Sequence, residues 1–134
     1  MEQDASRNNE SALWPKSLDA MAAAPDHHSV LLENDVVRVL DTRLAPGERT
    51  PVHTHPWPSV LYVMSWSDFV RYDSNGNVLL DSRTFTSKPE AGTTLWSAPL
   101  GPHSAKNVGE QDLHVIAIEL KSGSKVQPTQ SSVE

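Results

Sequence analysis

The sequence contains no cysteine among its 134 residues. This absence excludes thiolate catalysis, disulfide bonds and sulfur-ligated metal sites, and it leaves histidine, aspartate and glutamate as the possible side-chain ligands of a metal ion. Basic residues are also scarce: 11 lysines and arginines stand against 17 acidic residues, the net charge is -6, and no basic block occurs. Nucleic acid and anionic membranes are therefore expected to be poor partners.

Long apolar runs are missing as well. No stretch approaches the roughly 18 to 20 apolar residues that cross a bilayer. The opening residues, MEQDASRNNESA, also lack the basic and apolar regions of a secretory signal. We therefore expect a cytoplasmic protein, and a length of 134 residues favours one domain with one hydrophobic core.

Composition divides the chain into three segments. Residues 1–25 are a polar segment that ends in SLDAMAAAP, where Ser17 can cap a short helix and Pro25 can end it after about two turns. Residues 26–121 hold the β-rich body of the protein. Residues 122–134 are poor in large apolar side chains, so they are expected to form a flexible tail.

The segment 26–121 is predicted to be β-structure almost throughout. Runs rich in β-branched, leucine and aromatic residues recur between turn residues: SVLLE, VVRVLDTRL, PSVLYVMSW, DFVRYD, NVLLDSRTF, TTLWSA and LHVIAIEL. Between two of these runs, Asn75-Gly76 can adopt the positive φ angles of a two-residue hairpin turn. Short strands at this spacing, with no helix between them, predict an antiparallel sandwich or barrel.

A pair of histidines, His53 and His55, stands in the stretch PVHTHPWP. On an extended strand both side chains leave the same face and can share one ion. The pair alone is a weak signal, because two solvated surface histidines are the more common case. A third histidine, His103, follows a similar turn much later in the sequence and strengthens the case for a metal site.

These residues resemble the two motifs of the cupin superfamily of small β-barrels. In the first motif a glycine, five residues and His-x-His follow one another, and Gly47, ERTPV and the His53–His55 pair match this order. In the second motif, Gly92 stands eleven positions before His103 and Asn107 four positions after it. Asn107 is expected to stabilise a turn or close the barrel, because an amide side chain does not titrate.

The resemblance covers about Val30 to Leu120 and implies an all-β fold, an antiparallel cupin or jelly-roll β-barrel, here preceded by the short N-terminal helix. It also implies that His53, His55 and His103 are the ligands of one divalent transition metal, with iron, zinc, manganese, nickel and copper all compatible with imidazole. The PWP stretch from Pro56 to Pro58 would then turn the corner between two strands.

One departure from the family pattern concerns the ligand set. Cupins usually place a glutamate after the histidine pair, but that slot falls at Ser59 or Val60 here. Three neutral imidazoles would leave the ion its full charge and open positions, which favours an anionic, chelating ligand. Ser59 is a candidate for the fourth position or for contact with a bound water, although a serine beside a corner more often stabilises a turn. His114 is a candidate if its face of the last strand points inward.

The remaining tryptophan, histidine and acidic residues have less specific patterns. Trp57 and Trp96 are candidates for the walls of a ligand pocket, and equally for core or rim packing. His27-His28 would leave an extended segment on opposite faces, so a joint chelate is not expected. Glu119 and Asp41 lie in strand patterns where charged side chains usually face solvent.

Two functions stay open from the sequence. The first is a metal-dependent enzyme, dioxygenase-like or related, that acts on a small organic acid or dicarbonyl-type compound through the three-histidine site, with its catalytic residues unknown. The second is a non-catalytic cupin that binds or senses a small ligand, with a structural metal or none, because this fold hosts many activities. Small cupins commonly pair through their sheets, so a homodimer is expected.

Overall fold

The first elements of the described chain are two short helical turns. The structure, a computed structural model, describes residues 13–121, so the tail predicted for 122–134 lies outside the described range. A 3₁₀ turn at Lys16–Leu18 leads into a single α-helical turn, α1 (Ala20–Ala23). No helix within residues 13–121 is both long enough and apolar enough to cross a membrane.

The helix differs from the prediction in its length and its cap. It has one turn instead of two, and Ser17 lies inside the preceding 3₁₀ turn. Asp19 is the N-cap, and its carboxylate accepts a hydrogen bond from the Met21 amide at 3.0 Å. Aspartate and serine are about equally good N-caps, so the sequence alone does not choose between them. The helix ends before Pro25, as predicted.

Nine strands form the body of the described chain: β1 (His28–Glu33), β2 (Val37–Leu44), β3 (His53–His55), β4 (Ser59–Ser65), β5 (Phe69–Asp73), β6 (Val78–Asp81), β7 (Thr94–Ser97), β8 (Leu100–Asn107) and β9 (Leu113–Leu120). They pair antiparallel in two sheets, with orders β1-β2-β9-β4-β7 and β3-β8-β5-β6. The predicted all-β antiparallel fold is therefore confirmed.

The prolines after the histidine pair turn the chain from one sheet to the other. β3 belongs to the four-stranded sheet and β4 to the five-stranded sheet, and Pro56 to Pro58 lie between them. Proline lacks the amide hydrogen that a sheet ladder needs, so it is well suited to this corner. The predicted corner is thus present. Gly47 and Gly92 precede the two histidine segments with φ angles of +80° and +90°, a region that favours glycine.

The hairpin between β5 and β6 is present, but its turn differs from the predicted one. A two-residue turn of the expected type needs positive φ at both positions, and only Gly76 has it, with φ +90°. The Asp73 carboxylate instead accepts hydrogen bonds from the amides of Asn75 and Asn77 at 2.8 and 2.9 Å. This side chain organises a longer turn, which removes the need for a left-handed asparagine.

Asn107 closes one end of the barrel. Its side chain is fully buried, and its amide donates to the carbonyl oxygens of Leu44 and Gln111 at 2.7 and 2.8 Å. Its carbonyl oxygen accepts from the Ser67 hydroxyl at 2.7 Å and the Gly109 amide at 2.9 Å. The side chain therefore joins four separate groups, which confirms the structural role predicted for it.

Both faces of the five-stranded sheet carry apolar side chains. Leu40, Val63 and Ala117 are buried on the inner face. On the outer face, the strand register places four apolar residues in one row across adjacent strands: Leu32, Val39, Ile118 and Val60. Directly opposed residues share a face of a sheet, so this row, called the outer apolar row below, is continuous.

Candidate metal centre

Four histidines from three strands meet at one end of the barrel. His53 and His103 stand directly opposite each other on β3 and β8, with ring centroids 4.4 Å apart. The His55 ring lies 5.1 Å from that of His53 and 5.8 Å from that of His103. His28, at the start of β1, lies 5.0 Å from His53 and 5.2 Å from His55.

Three of these rings can hold one ion together. His28, His53 and His55 each offer a ligand nitrogen, and these nitrogens all lie within 4.8 Å of one another. His103 adds a fourth imidazole beside His53. The structure therefore contains a three-histidine group that could bind a metal, with a fourth histidine at its side.

The protons of these imidazoles are assigned by their hydrogen-bond partners. The Nδ1 atoms of His28, His53 and His103 lie 2.9, 2.8 and 2.7 Å from the carbonyl oxygens of Ala24, Pro51 and Gly101, respectively. A carbonyl oxygen can only accept, so each Nδ1 must carry a proton and donate it. In the neutral ring this leaves the Nε2 lone pair free, which is the state that a metal ion requires.

His55 is held in the same tautomer by a carboxylate. Its Nδ1 donates to Oε2 of Glu119 at 2.8 Å, and the other oxygen of Glu119 accepts from Nε of Arg38 at 2.6 Å. Arg38 in turn donates two hydrogen bonds of 2.9 Å to the carboxylate of Asp19. Arg38 can only donate, so the Glu119 oxygen that it faces is an acceptor, and the charge of Arg38 favours the carboxylate form of Glu119. This continuous series of bonds, called the Asp19–Arg38–Glu119 chain below, fixes the orientation of His55.

Burial favours the neutral form of all four histidines. It lowers the pKa of His28 to about 4 and that of His55 to about 3, with neighbouring histidines adding to the effect. Burial likewise lowers the pKa of His53 and His103 below the ordinary value. Four unprotonated nitrogens at neutral pH are suitable ligands for a divalent transition metal, so the residues present fit such an ion.

Two acidic side chains compete for one arginine beside His55. Burial raises the pKa of Glu119, opposed by the hydrogen bond and charge of Arg38. Burial also acts to raise the pKa of Asp19, but the hydrogen bonds from Arg38 and the Met21 amide outweigh it and the pKa is lowered. One arginine is thus shared between two carboxylates.

The histidines open onto a cavity of about 520 Å³, which lies within the range of small-molecule binding sites. Its wall is largely apolar and aromatic, with Leu61, Val63, Trp66, Phe69 and Phe85 among its members. Among the described residues, no aspartate or glutamate lines this cavity. The site therefore combines a cluster of nitrogen ligands with an apolar chamber.

The other candidates from the sequence lie in different places. Ser59 is buried and lines the cavity. Trp96 borders the cavity, but it lies opposite Val60 in the β4–β7 register, on the outer face of the sheet, and it is 55% exposed. Trp57 is not among the lining residues; its ring instead packs against the guanidinium of Arg38, 4.9 Å from the ring centroid. His114 is separated from the site, because its Nε2 lies 2.6 Å from Oδ1 of Asp41 and its strand position alternates with those of the cavity-lining residues on β9.

Sequence reasoning missed two residues of the site. His28 was considered only as a chelating pair with His27, but it joins the cluster by itself while His27 bonds the Arg43 carbonyl. Glu119 was expected to face solvent and is instead fully buried. No local signal identified Glu119, because its position opposite Arg38 follows from the β2–β9 register, which only the structure shows. Opposite charges at such inward positions are typical of a buried ion pair.

Comparison with known proteins identifies the fold. The sequence matches no protein-family profile and no curated protein. Among solved structures, a cupin domain from Bordetella pertussis Tohama I superposes with a TM-score of 0.57 at 21% identity, covering 70% of this chain and 91% of its own. An RmlC-like cupin family protein from Methanocaldococcus jannaschii gives a TM-score of 0.51 at 12% identity, covering 73% of this chain and 82% of its own. This chain therefore has the double-stranded β-helix fold of the cupin superfamily.

Proposed function

We propose that this protein is a metal-dependent cupin enzyme, dioxygenase-like or related in its chemistry, that acts on a small organic acid or dicarbonyl-type compound. The observation that carries the proposal is the histidine cluster. Four imidazoles, three of them buried and His55 half-buried, have their Nδ1 atoms engaged by carbonyl or carboxylate oxygens, and they open onto a ligand-sized cavity. Such ordered, neutral nitrogens at the head of a cavity support metal binding more strongly than a structural role.

The proposed ligands are His53, His55 and His103, as the family resemblance implies, together with His28. When bound, a divalent ion in this ligand set supplies Lewis acidity or, if it is redox-active, oxygen chemistry. The chain itself holds the imidazoles in one tautomer and excludes water through the apolar wall. It also offers Ser59 as a hydroxyl in the cavity wall.

The proposed cofactor is one first-row transition metal, with iron, zinc, manganese, nickel and copper as candidates. A set of neutral imidazoles favours these ions over calcium or magnesium, which prefer oxygen ligands. No carboxylate lines the cavity in the described part of the chain, so the positive charge of the ion would not be reduced by a direct anionic ligand from this wall. An anionic substrate would therefore be favoured.

The second candidate function is a binding or sensing module without turnover. It is favoured by one observation: the described cavity wall offers no aspartate or glutamate that could serve as a general acid or base. In this case the metal would have a structural role.

Reconstitution and assay separate the two functions. We would load the purified protein in turn with iron(II), manganese(II), nickel(II), copper(II) and zinc(II), and measure oxygen uptake and substrate loss on a panel of small acids and dicarbonyls. Turnover with a redox-active metal, absent from the metal-free protein, is expected for the enzyme. Tight metal binding with no turnover across the panel would contradict the enzyme and favour the binding module.

We also propose that a second copy of the chain covers the outer apolar row. Leu32 is 52% exposed, and Tyr62 and Met64 on the same face of β4 as Val60 are 41% and 44% exposed. An apolar surface that continues across four strands is suited to a homodimer interface.

Replacing Val60 with lysine is expected to convert a dimer into a monomer, because it would place a charge in the centre of the buried interface. Light scattering coupled to gel filtration at tens of micromolar measures the mass directly. The matched control is Val78→Lys, at a valine that is 60% exposed on the other sheet, which should leave the dimer intact. A monomeric wild type would refute the proposed interface.

A further inference from the structure

Arg71 occupies an unusual position for a charged side chain. It lies on β5 in the four-stranded sheet, directly opposite Ala105 on β8, and it lines the cavity. His103 is two residues from Ala105 on the same strand, so Arg71 and His103 are diagonal neighbours on one face, at roughly 7 to 8 Å between backbones. The two side chains also line a second, smaller depression of about 180 Å³ together.

No carboxylate neutralises this arginine within residues 13–121. Its pKa is lowered by burial alone, with no opposing hydrogen bond or nearby negative charge. The guanidinium of Arg71 lies over the Phe69 ring, with its carbon 5.7 Å from the ring centroid. Asp73, two residues along the strand, directs its carboxylate to the hairpin amides of Asn75 and Asn77.

The other arginine at the cavity provides a contrast. Arg43 donates to the carboxylate of Asp41 at 2.9 Å, so its charge is already paired. Arg71 is therefore the unpaired guanidinium of the described cavity wall. A guanidinium that is partly removed from water without a partner is costly, and a ligand carboxylate would restore both the charge balance and the forked hydrogen bonds.

The remainder of the cavity indicates what the rest of such a ligand would be. On the opposite wall, Leu61 and Val63 continue away from Ser59 along β4 toward Trp66. The Trp66 ring lies 5.7 Å from that of Phe69 and 6.3 Å from that of Phe85, so the three rings form an aromatic cluster in the cavity wall. A small, wholly polar acid would leave this apolar surface in contact with water.

We propose that Arg71 binds the carboxylate of the substrate beside the histidine cluster, and that the substrate is a carboxylic acid with an apolar or aromatic body that fills the chamber. This inference rests on the proposed function and narrows its substrate class. Arg71 acts as a specificity-determining residue. The carboxylate of the substrate reaches the Arg71 guanidinium and the metal site at the polar end of the cavity. The apolar body of the substrate lies against the aromatic cluster.

The test uses 3-phenylpropanoate and octanoate as probes, with 3-phenylpropanamide as the uncharged analogue and oxalate as the small polar acid. Binding to metal-loaded wild type, Arg71→Gln and Arg71→Lys is measured by titration calorimetry. At least one apolar carboxylate should bind the wild type more tightly than oxalate does. Arg71→Gln should weaken that binding about 10- to 100-fold, as expected when a charge-assisted hydrogen bond is lost. The amide should bind wild type and Arg71→Gln equally, and Arg71→Lys should restore part of the affinity.

Two results would overturn the inference. The first is that Arg71→Gln binds the apolar carboxylates as tightly as the wild type does. The second is that neither apolar carboxylate binds the wild type at millimolar concentration. A repeat with metal-free protein separates this inference from the proposed function. Arg71-dependent binding that persists in a protein unable to take up metal would support the anion site while refuting the metal-dependent enzyme. Metal-dependent turnover that does not depend on Arg71 would support the metal-dependent enzyme and refute the anion site at Arg71.

Discussion

Replacing His53 with alanine is expected to weaken metal binding by a factor of about 100 or more. Four-ligand zinc sites contribute roughly 10 to 16 kcal/mol, so one ligand corresponds to about 2.5 to 4 kcal/mol. His53 lies next to the three other histidines of the cluster, and within residues 13–121 its ring bonds only the nearby Pro51 carbonyl. Its removal should therefore affect the metal far more than the fold. Competition with a chromophoric chelator measures the dissociation constant.

The matched control is His114→Ala. His114 is another strand histidine and is half-buried, but it pairs with Asp41 away from the cluster, so this variant should keep the wild-type affinity. Circular dichroism establishes that both variants are folded. If His53→Ala and His114→Ala bind metal equally, the ion lies elsewhere. His28→Ala extends the comparison, because a loss similar to that of His53→Ala is expected only if His28 is itself a ligand.

Replacing Glu119 with glutamine is expected to weaken metal binding about 10- to 100-fold, although Glu119 is not proposed to touch the metal. The carboxylate accepts from both Arg38 and His55. Glutamine has only one accepting oxygen, so its NH₂ group would face one of these donors. His55 would then lose its fixed tautomer or rotate its ring. The dissociation constant of the loaded ion is again the measurement.

A loss of stability alone could imitate this effect, and Asp19→Asn distinguishes the two. Asp19 bonds the far side of Arg38 and caps α1, so its replacement should lower the unfolding temperature. The bond between Glu119 and His55 would remain, so the metal affinity should stay within a few-fold of wild type. Glu33→Gln, which removes a surface pair with Lys121, serves as a neutral control. Equal affinity in Glu119→Gln and Asp19→Asn would contradict the positioning role of Glu119.

The parts of the fold that could be predicted are those with local signals. Alternating apolar runs indicated most strands, and the spacing of two glycine and histidine segments indicated where His53, His55 and His103 would stand. β8 was the hardest strand to see, because LGPHSAKN contains a glycine, a proline and no β-branched residue. Its strand conformation depends on pairing with β3 and β5, which only the tertiary fold provides.

The residues that the sequence did not reveal depend on long-range register. His28 reaches the cluster because β1 pairs with β2 in one particular alignment, with a bulge between Val30 and Leu32. The inward position of Glu119 was ambiguous for another reason. Ile116 and Ile118 on β9 are as apolar as Val115 and Ala117, and the isoleucines lie on the outer face. When both faces of a strand are apolar, alternation does not identify which one is buried.

The most direct test of the metal centre is X-ray absorption at the metal edge of the reconstituted wild-type protein, combined with elemental analysis. A stoichiometric first-row metal with three or four nitrogen neighbours at about 2.0 to 2.2 Å, showing the outer scattering of imidazole rings, is the predicted result. A protein that takes up no stoichiometric metal, or an ion surrounded mainly by oxygen, would contradict the histidine centre and the function proposed from it.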